Sequence, residues 1–283
     1  MEKHFKLISP VYNAEQWIGK CIQSVKDQTY TNFTQVIVDD CSTDETISVA
    51  KEAIGDDSRF VLIEREENTG AMYGHILAGD YKYSEDDFFV HLDGDDWFSD
   101  GNVLSRLDKI YDDENIWCTY GNYVTTDGMP SVNIPIEESI LYRQTHGLLG
   151  TKPLVVKDWE KKECIISVKD TYIPEEHLDS SVRLMLASGW FMAQIRSFRG
   201  KLWRGLEDSD FRVEDGSYLA VADVAVFVPV LEMAGLDRVK YVPEIQMVYN
   251  RETPLNDDKV NRERVVHHAM QLARKTPKRR WKS

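Results

Sequence analysis

The segment Val36-Ile-Val-Asp-Asp-Cys-Ser-Thr-Asp-Glu-Thr46 decides the fold. Three β-branched residues running straight into Asp39 and Asp40 read as a buried strand that stops at a polar rim. Ser42 and Glu45 then stand at the spacing of a capping box, ahead of a helix with apolar positions Ile47, Ala50 and Ile54. A strand feeding directly into a helix is half of a βαβ unit, and the same pattern repeats on both sides. Upstream, Phe5–Val11 reads as a strand, and Asn13 is expected to cap a helix presenting Trp17, Ile18, Cys21, Ile22 and Val25 on one face. Downstream come a strand at Phe60–Ile63, a turn at Asn68-Thr69-Gly70 and a short helix through Ile76 and Leu77. A fourth strand at Asp87–Leu92, a helix face of Val103, Leu104, Leu107, Ile110 and Tyr111, and a fifth strand at Ile116–Val124 complete the series.

Strands alternating with helices imply an α/β fold with a mainly parallel sheet, whose ligands gather beyond the carboxyl ends of the strands. Asp39 and Asp40 end the second strand, and Asp93, Asp95 and Asp96 end the fourth, so two acidic clusters are expected to meet at one rim. The pattern weakens over Thr125–Leu186, where short strands are expected near Leu154–Val156 and Cys164–Val168. Order returns at Trp190–Trp203, followed by an apolar helix over Tyr218–Ala234 that Pro229 should kink or divide. A strand at Val239–Tyr249 and a helix at Asn261–Ala273 follow. The expected organisation is residues 1–126 as one half, 127–250 as a second, and 251–283 as a C-terminal helix and tail.

A chain of 283 residues buries roughly three quarters of its unfolded surface and needs no covalent staple. Cys21, Cys41, Cys118 and Cys164 are far apart and lack metal-ligand spacing, which argues against a zinc site or a disulfide scaffold. A net charge of −14 disfavours whole-surface attraction to nucleic acid or anionic lipid. No charged leader precedes an apolar run, and Tyr218–Gly235 is broken by Asp223, Pro229 and Glu232, so a soluble, cytoplasmic protein is expected. The exception to the acidic balance is the tail from Arg274 to Lys282, six basic residues around Trp281. Such a tail suits a polyanion such as modified DNA, or a membrane surface, and equally a solvated terminus.

The run His91-Leu-Asp-Gly-Asp-Asp-Trp97 carries the chemistry. Strand period aims Asp93 and Asp95 to one side, and the turn brings Asp96 close. Crowded carboxylates repel one another by about 1 to 4 kcal/mol a pair, which a bound cation would offset. Oxygen-only ligands favour Mg²⁺ or Mn²⁺, with a substrate diphosphate completing the octahedron. An EF-hand fails, because its glycine position holds Phe98 and its twelfth position Leu104. A nicotinamide enzyme lacks G-x-G-x-x-G after the first strand, and an Asp-x-Asp phosphatase would carry its motif on the first strand and not the fourth. Since carboxylates repel phosphates, Asp39 or Asp40 is better employed accepting from a base N–H or a ribose hydroxyl.

Taken together, these segments resemble family 2 of the nucleotide-sugar glycosyltransferases, and Ile195-Arg-Ser-Phe-Arg199, Leu231-Glu-Met-Ala-Gly235 and Tyr249-Asn-Arg-Glu-Thr-Pro-Leu-Asn-Asp257 resemble its microbial and viral-type branch. Ser9-Pro-Val-Tyr-Asn-Ala-Glu15 and Ser24-Val-x-x-Gln28-Thr-Tyr-x-Asn-Phe33 are similar to its opening signature, Val36–Thr46 to its second-strand block, Asn68-x-Gly70 to its turn, and Leu92–Trp97 to its D-x-D motif. The resemblance implies a GT-A fold, a nucleotide-sugar donor, and Mn²⁺ or Mg²⁺. It implies that Pro10, Val11, Tyr12, Glu15 and Asp39 bind the nucleoside, with Asp39 or Asp40 on the base. Asn68, Gly70 and Gly94 fall within the same donor-binding motifs. Asp93 and Asp95 would serve ribose, metal and diphosphate, with Asp96 a further ligand candidate. His75 stands where the family often has a small polar residue.

The family's base is an aspartate opening a helix, and Ala222-Asp223-Val-Ala-Val-Phe-Val-Pro-Val-Leu-Glu-Met-Ala-Gly235 looks like that helix, so the resemblance implies Asp223, with Asp208, Asp210 and Asp215 as competitors. Trp97, Arg196 and Arg199 are candidates for acceptor or phosphate contacts. The implied reaction is inverting transfer of a hexosyl or pentosyl group to an acceptor hydroxyl of a glycan, a lipid or a modified nucleic acid. The rival is a non-catalytic nucleotide-sugar or nucleic-acid binding protein on the same scaffold.

Overall fold

The computed structural model describes residues 2–131, 133, 135, 154–157, 163–166, 192, 194–255 and 257–281. Strand β1 (His4–Val11) is the centre of the first half, buried from Phe5 onward. It pairs in parallel with β2 (Phe33–Asp39) on one side and β4 (Asp87–His91) on the other, and β3 (Phe60–Glu64) extends the sheet beyond β2. Between them run α1 (Ile18–Lys26), α2 (Thr46–Ile54) and α3 (Ala71–Asp80). The two-residue β5 (Trp97–Phe98) precedes α4 (Val103–Ile110) and β6 (Cys118–Thr125). Strands β7 (Leu154–Lys157) and β8 (Glu163–Ile166) pair with each other as a separate hairpin. β9 (Ser197–Arg199), α5 (Ala222–Ala234), β10 (Val239–Tyr249), α6 (Asp257–Val260) and α7 (Arg262–Arg274) follow.

The main sheet has eight strands in the order β3-β2-β1-β4-β9-β6-β10-β5. β9 is antiparallel to both β4 and β6, and β5 is antiparallel to β10. Period 2 along β1 sends Phe5, Leu7 and Val11 to one face, where they pack with α1, α2 and α4 residues such as Ile22, Ala50 and Leu104. Ile8 faces the other side, with Met72 of α3, Phe198, Trp203 and the apolar α5. The result is a sheet between two helical layers, and because β10 enters it beside β6, the sheet crosses the boundary expected at residue 126.

Three local expectations differ from the structure. Asn13 does not cap α1: it adopts a left-handed backbone (φ 48°), which Asn tolerates, and its Oδ1 accepts from the Thr43 amide at 2.8 Å, tying the loop after β1 to the loop after β2. The capping box does not form, because Ser42 donates to Asp39 instead, and Asp44 Oδ1 accepts from the Thr46 amide at 3.0 Å. Pro229 does not divide α5, which runs unbroken from Ala222 to Ala234; burial of every residue from Ala225 onward compensates the hydrogen bond that proline removes. Apart from its two short strands and a few residues at its start, the weakly patterned Thr125–Leu186 stretch lies outside the described residues.

Candidate functional site

Parallel pairing fixes where the acids go. Val11 and Asp39 are partners across β1 and β2, and Ile8 and His91 across β1 and β4, so all three strands release their chains at the same edge. The Asp40 amide then donates to Val11 O at 2.9 Å, while the amides of Leu92 and Gly94 donate to Ile8 O (3.1 Å) and Pro10 O (3.0 Å). Pro10 fits in a central strand at this point because its carbonyl is the group in use. The two acidic clusters therefore straddle Pro10, Val11 and Tyr12, as the strand order required.

The strand ends at His91, so Asp93 and Asp95 are not aligned by strand period. Asp93 to Asp96 form a turn closed by the Asp96 amide on Asp93 O at 3.1 Å. Gly94 is needed by close approach: a Cβ there would lie 2.6 Å from Val11 Cβ. Asp93 and Asp95 are half-buried, whereas Asp96 is buried and accepts from the Asn250 amide at 2.7 Å. Burial pushes the Asp95 carboxyl up to about 6. Burial, and then the charges of Asp95 and Asp93, hold Asp96 well above the usual carboxylate range. These are hard oxygen donors whose crowding a divalent ion would relieve. Among the described residues no three His, Cys, Asp or Glu side chains form a ready-made metal cage.

At the β2 end, Asp39 is buried and accepts from the amide and hydroxyl of Ser42. Asp40 is more fully engaged: it pairs with Arg65 and accepts from the amides of Thr69 (3.1 Å) and Gly70 (2.7 Å), holding the start of α3. Gly70 has φ 90°, and Asn68 beside it is exposed. Tyr12 is 39% exposed at the rim, and Glu15 accepts from the Glu45 amide at 2.9 Å.

Asp223 sits in the first turn of α5 and is brought to the same region, near enough for its charge to act on Asp96. Its Oδ1 accepts from the Val224 amide at 2.7 Å, and its Oδ2 from Gln194 Nε2 at 3.1 Å and from Arg196. Burial pushes this carboxyl up, but the charge and hydrogen bond of Arg196, and after them His75 and His91, outweigh burial and leave it below the usual carboxylate range. The three competitors are engaged elsewhere: Asp208 with Arg212, Asp210 with Lys278 at 2.9 Å, and the exposed Asp215 with the Ser217 amide.

Not every sequence candidate reaches this rim. Arg199 is aligned with Phe88, near the start of β4 and away from the acidic loops, and donates to the carbonyls of Ile116, Tyr111 and Asp113. Trp97 is 9% exposed, with the Lys20 ammonium 3.6 Å from its ring centroid. The basic tail folds back on the chain: Lys278 pairs with Asp210, Arg280 with Asp237, and the Trp281 amide donates to Met233 O at 2.9 Å. Sequence reasoning missed Arg65, His91, Gln194 and Asn250. The available signal for His91 was a histidine directly before an acidic turn; the other three are joined to the site only by tertiary contacts.

The comparisons with known proteins agree with this geometry. The family model described as glycosyl transferase family 2 matches residues 7–158, just over half of the chain. The WfgD protein of Escherichia coli, named as a UDP-Glc:alpha-D-GlcNAc-diphosphoundecaprenol beta-1,3-glucosyltransferase, is 37% identical over 118 residues, which is 41% of this chain and 44% of that one. The putative teichuronic acid biosynthesis glycosyltransferase TuaG of Bacillus subtilis is 35% identical over 125 residues, 44% of this chain and 49% of that one. The chain thus spans about half the length of these relatives. Among solved structures, S. aureus TarS 1-349 in complex with UDP-GlcNAc superposes with a TM-score of 0.58 at 16% identity, covering 89% of this chain and 59% of that one. The mannosyltransferase PcManGT of Pyrobaculum calidifontis, in complex with GDP-Man and Mn²⁺, gives 0.56 at 17% identity, covering 95% and 62%. At such identities the likeness shows the fold, and it is GT-A. With the motif-bearing strands, the acidic rim and the family model all falling on the same residues, the chain belongs to glycosyl transferase family 2.

Proposed function

We propose that this chain is a metal-dependent, inverting glycosyltransferase that moves a sugar from a nucleotide-sugar donor to an acceptor hydroxyl of a glycan, a lipid or a modified nucleic acid. The observation that carries the reading is the convergence of two acidic loops and Asp223 at one end of a parallel sheet. The donor nucleoside lies along Pro10, Val11 and Tyr12, with Glu15, Asn68 and Gly70 bordering it. Asp39 accepts from the base or ribose, since its two bonds to Ser42 leave lone pairs available, whereas Asp40 supports the wall through Arg65 and the start of α3. Of Asp93, Asp95 and Asp96, one or two would hold Mn²⁺ or Mg²⁺ beside the diphosphate, with Gly94 keeping the loop against β1. The ion, when bound, supplies Lewis-acid stabilisation of the charge that develops on the leaving diphosphate.

Asp223 takes the proton of the acceptor hydroxyl as that oxygen attacks the sugar C1 and the C1–O bond to the diphosphate breaks. A single base opposite the leaving group gives inversion. Residues 1–126 supply donor binding, 127–250 acceptor binding and the base, and 251–283 the C-terminal helix and tail. The cytoplasm is the proposed location, supported by the free thiols of Cys21, Cys41 and Cys118; among the described residues no helix is long and apolar enough to cross a membrane. A panel of UDP-, GDP-, CDP-, ADP- and dTDP-sugars, with and without Mn²⁺, tests the reading. Release of nucleoside diphosphate should require the metal and fall by about 10²- to 10⁴-fold in Asp223→Asn. Binding without turnover, unchanged by Asp223→Asn, would favour the non-catalytic binding protein, whereas turnover indifferent to Asp223→Asn would remove Asp223 as the base.

A further inference from the structure

Arg196 does not sit as a surface cation waiting for phosphate. It is 4% exposed, its Nε donates to Met192 O at 2.8 Å, and its guanidinium lies 5.8 Å from the Phe227 ring centroid on α5. Its carbonyl accepts from the His91 amide at 3.0 Å, which ties this residue to the strand that releases the acidic loop. Its Nη1 donates to Asp223 Oδ2, the oxygen that also accepts from Gln194. The carboxylate is therefore gripped on Oδ2, while Oδ1 takes only the Val224 amide among the hydrogen bonds described.

The basic neighbours besides Arg196, His75 and His91, act on Asp223 in the same direction but less strongly. His75 on α3 and His91 on β4 are buried, edge to face with ring centroids 5.2 Å apart, and burial holds both imidazoles below their ordinary range. His75 Nδ1 is 2.9 Å from Ala71 O and so carries the proton, leaving Nε2 without a hydrogen-bond partner among the described residues; both nitrogens of His91 are likewise without one. The other charge facing Asp223 is Asp96, which repels it. We infer that Arg196 is a positioning residue: it fixes the orientation and the negative charge of the Asp223 carboxylate so that Oδ1 is the atom presented to the acceptor hydroxyl. This rests on the proposed role of Asp223 for its catalytic meaning, but the pairing itself is open to a direct test.

With ¹³C-carboxyl aspartate in the intact chain, the Asp223 resonance is identified by its loss in Asp223→Asn and titrated. The expected result is a carboxylate that stays ionised to the lowest pH the fold survives. In Arg196→Gln its midpoint should rise by a unit or more, about tenfold in the proton equilibrium, and in Arg196→Lys it should return toward wild type. Melting curves establish that each variant is folded, and Arg196→Met, an uncharged chain that suits the same buried space, serves with the same expected rise if Arg196→Gln is not folded. An unchanged midpoint in folded Arg196→Gln overturns the inference. Where UDP-glucose with Mn²⁺ gives turnover, the acid limb of the kcat profile in Arg196→Gln should move to higher pH by the same interval as the carboxyl midpoint, with KM for the donor changed less than about twofold. A loss equal at every pH would also overturn it. Absence of wild-type turnover with every donor counts against the proposed reaction alone, and the carboxyl titration still decides the pairing.

Discussion

Replacing Gly94 with alanine should disable the acidic loop without touching an acid. Gly94 is buried, and a Cβ at that position would lie 2.6 Å from Val11 Cβ, 2.8 Å from Val11 Cγ2 and 3.3 Å from Ile18 Cδ1. Carbon atoms in contact prefer about 3.5 to 4.0 Å, so the loop and β1 must separate by about 1 Å. Val11 is held by its pairing with Asp39 and by the Asp40 amide, so the loop is the side that gives, stretching the 3.0 Å bond from the Gly94 amide to Pro10 O. Overpacking of this kind costs about 1 to 3 kcal/mol. At about 2 to 4 °C per kcal/mol, the melting temperature should fall by roughly 2 to 12 °C. A metal ligand tolerates only about 0.2 Å of misplacement, so Mn²⁺-dependent binding of UDP should weaken by more than the stability loss accounts for. Differential scanning calorimetry with and without Mn²⁺ and UDP reads both effects. Gly19→Ala is the control, because its nearest neighbour would be Val49 Cγ1 at an ordinary 3.4 Å and alanine favours a helix interior by about 0.5 to 1 kcal/mol. Trimming Val11 to alanine should rescue little, since the shortest contact is with its Cβ. Wild-type melting and undiminished Mn²⁺–UDP binding in Gly94→Ala would refute the reasoning.

Two further predictions concern the acids themselves. The Asp95 carboxyl is raised to about 6, so its contribution to the metal-free protein is fully present below the unfolded value of about 3.9 and lost as pH rises through about 6. The stability of Asp95→Asn relative to wild type should therefore improve as pH rises from about 4 to about 6, while the Mn²⁺-induced rise in wild-type melting temperature should shrink as pH falls through about 6; a metal effect constant between about pH 5 and 7 would contradict the assignment. Asp40→Ala leaves the largely buried Arg65 without its partner and the Thr69 and Gly70 amides without their acceptor, so urea denaturation should show a loss of about 3 to 5 kcal/mol, and a loss below about 1 kcal/mol would show the pair to be idle.

The first half of the fold was legible because each of its strands and helices carries its own period. Phe5–Val11 and Gln35–Val38 read as strands from side chains alone, and parallel pairing then places Asp39, Asp40 and the Asp93–Asp96 turn at one edge without further information. What escaped reading was set by contacts distant in sequence. β9 has three residues, too few for any period, and exists because β4 and β6 flank it. Its antiparallel direction decides the fate of its arginines: Arg196, before the strand, lies beside the end of β4 and meets Asp223, whereas Arg199, three residues later, is carried toward the start of β4. Asn13 and Ser42 were expected to cap the helices that follow them, but their partners are in the adjoining loop and at Asp39. Local spacing shows that such a side chain will be used; only the assembled sheet shows by what.

The central claim is that the Asp93–Asp96 turn grips a divalent ion against a nucleotide diphosphate. Isothermal calorimetry of the intact, folded chain with UDP, GDP, CDP, ADP and dTDP, each with and without Mn²⁺, tests it most directly. The account predicts binding of at least one of the five that manganese strengthens, that Asp95→Asn abolishes, and that Asp223→Asn leaves in place. Heat that manganese fails to enhance with any of the five would contradict it.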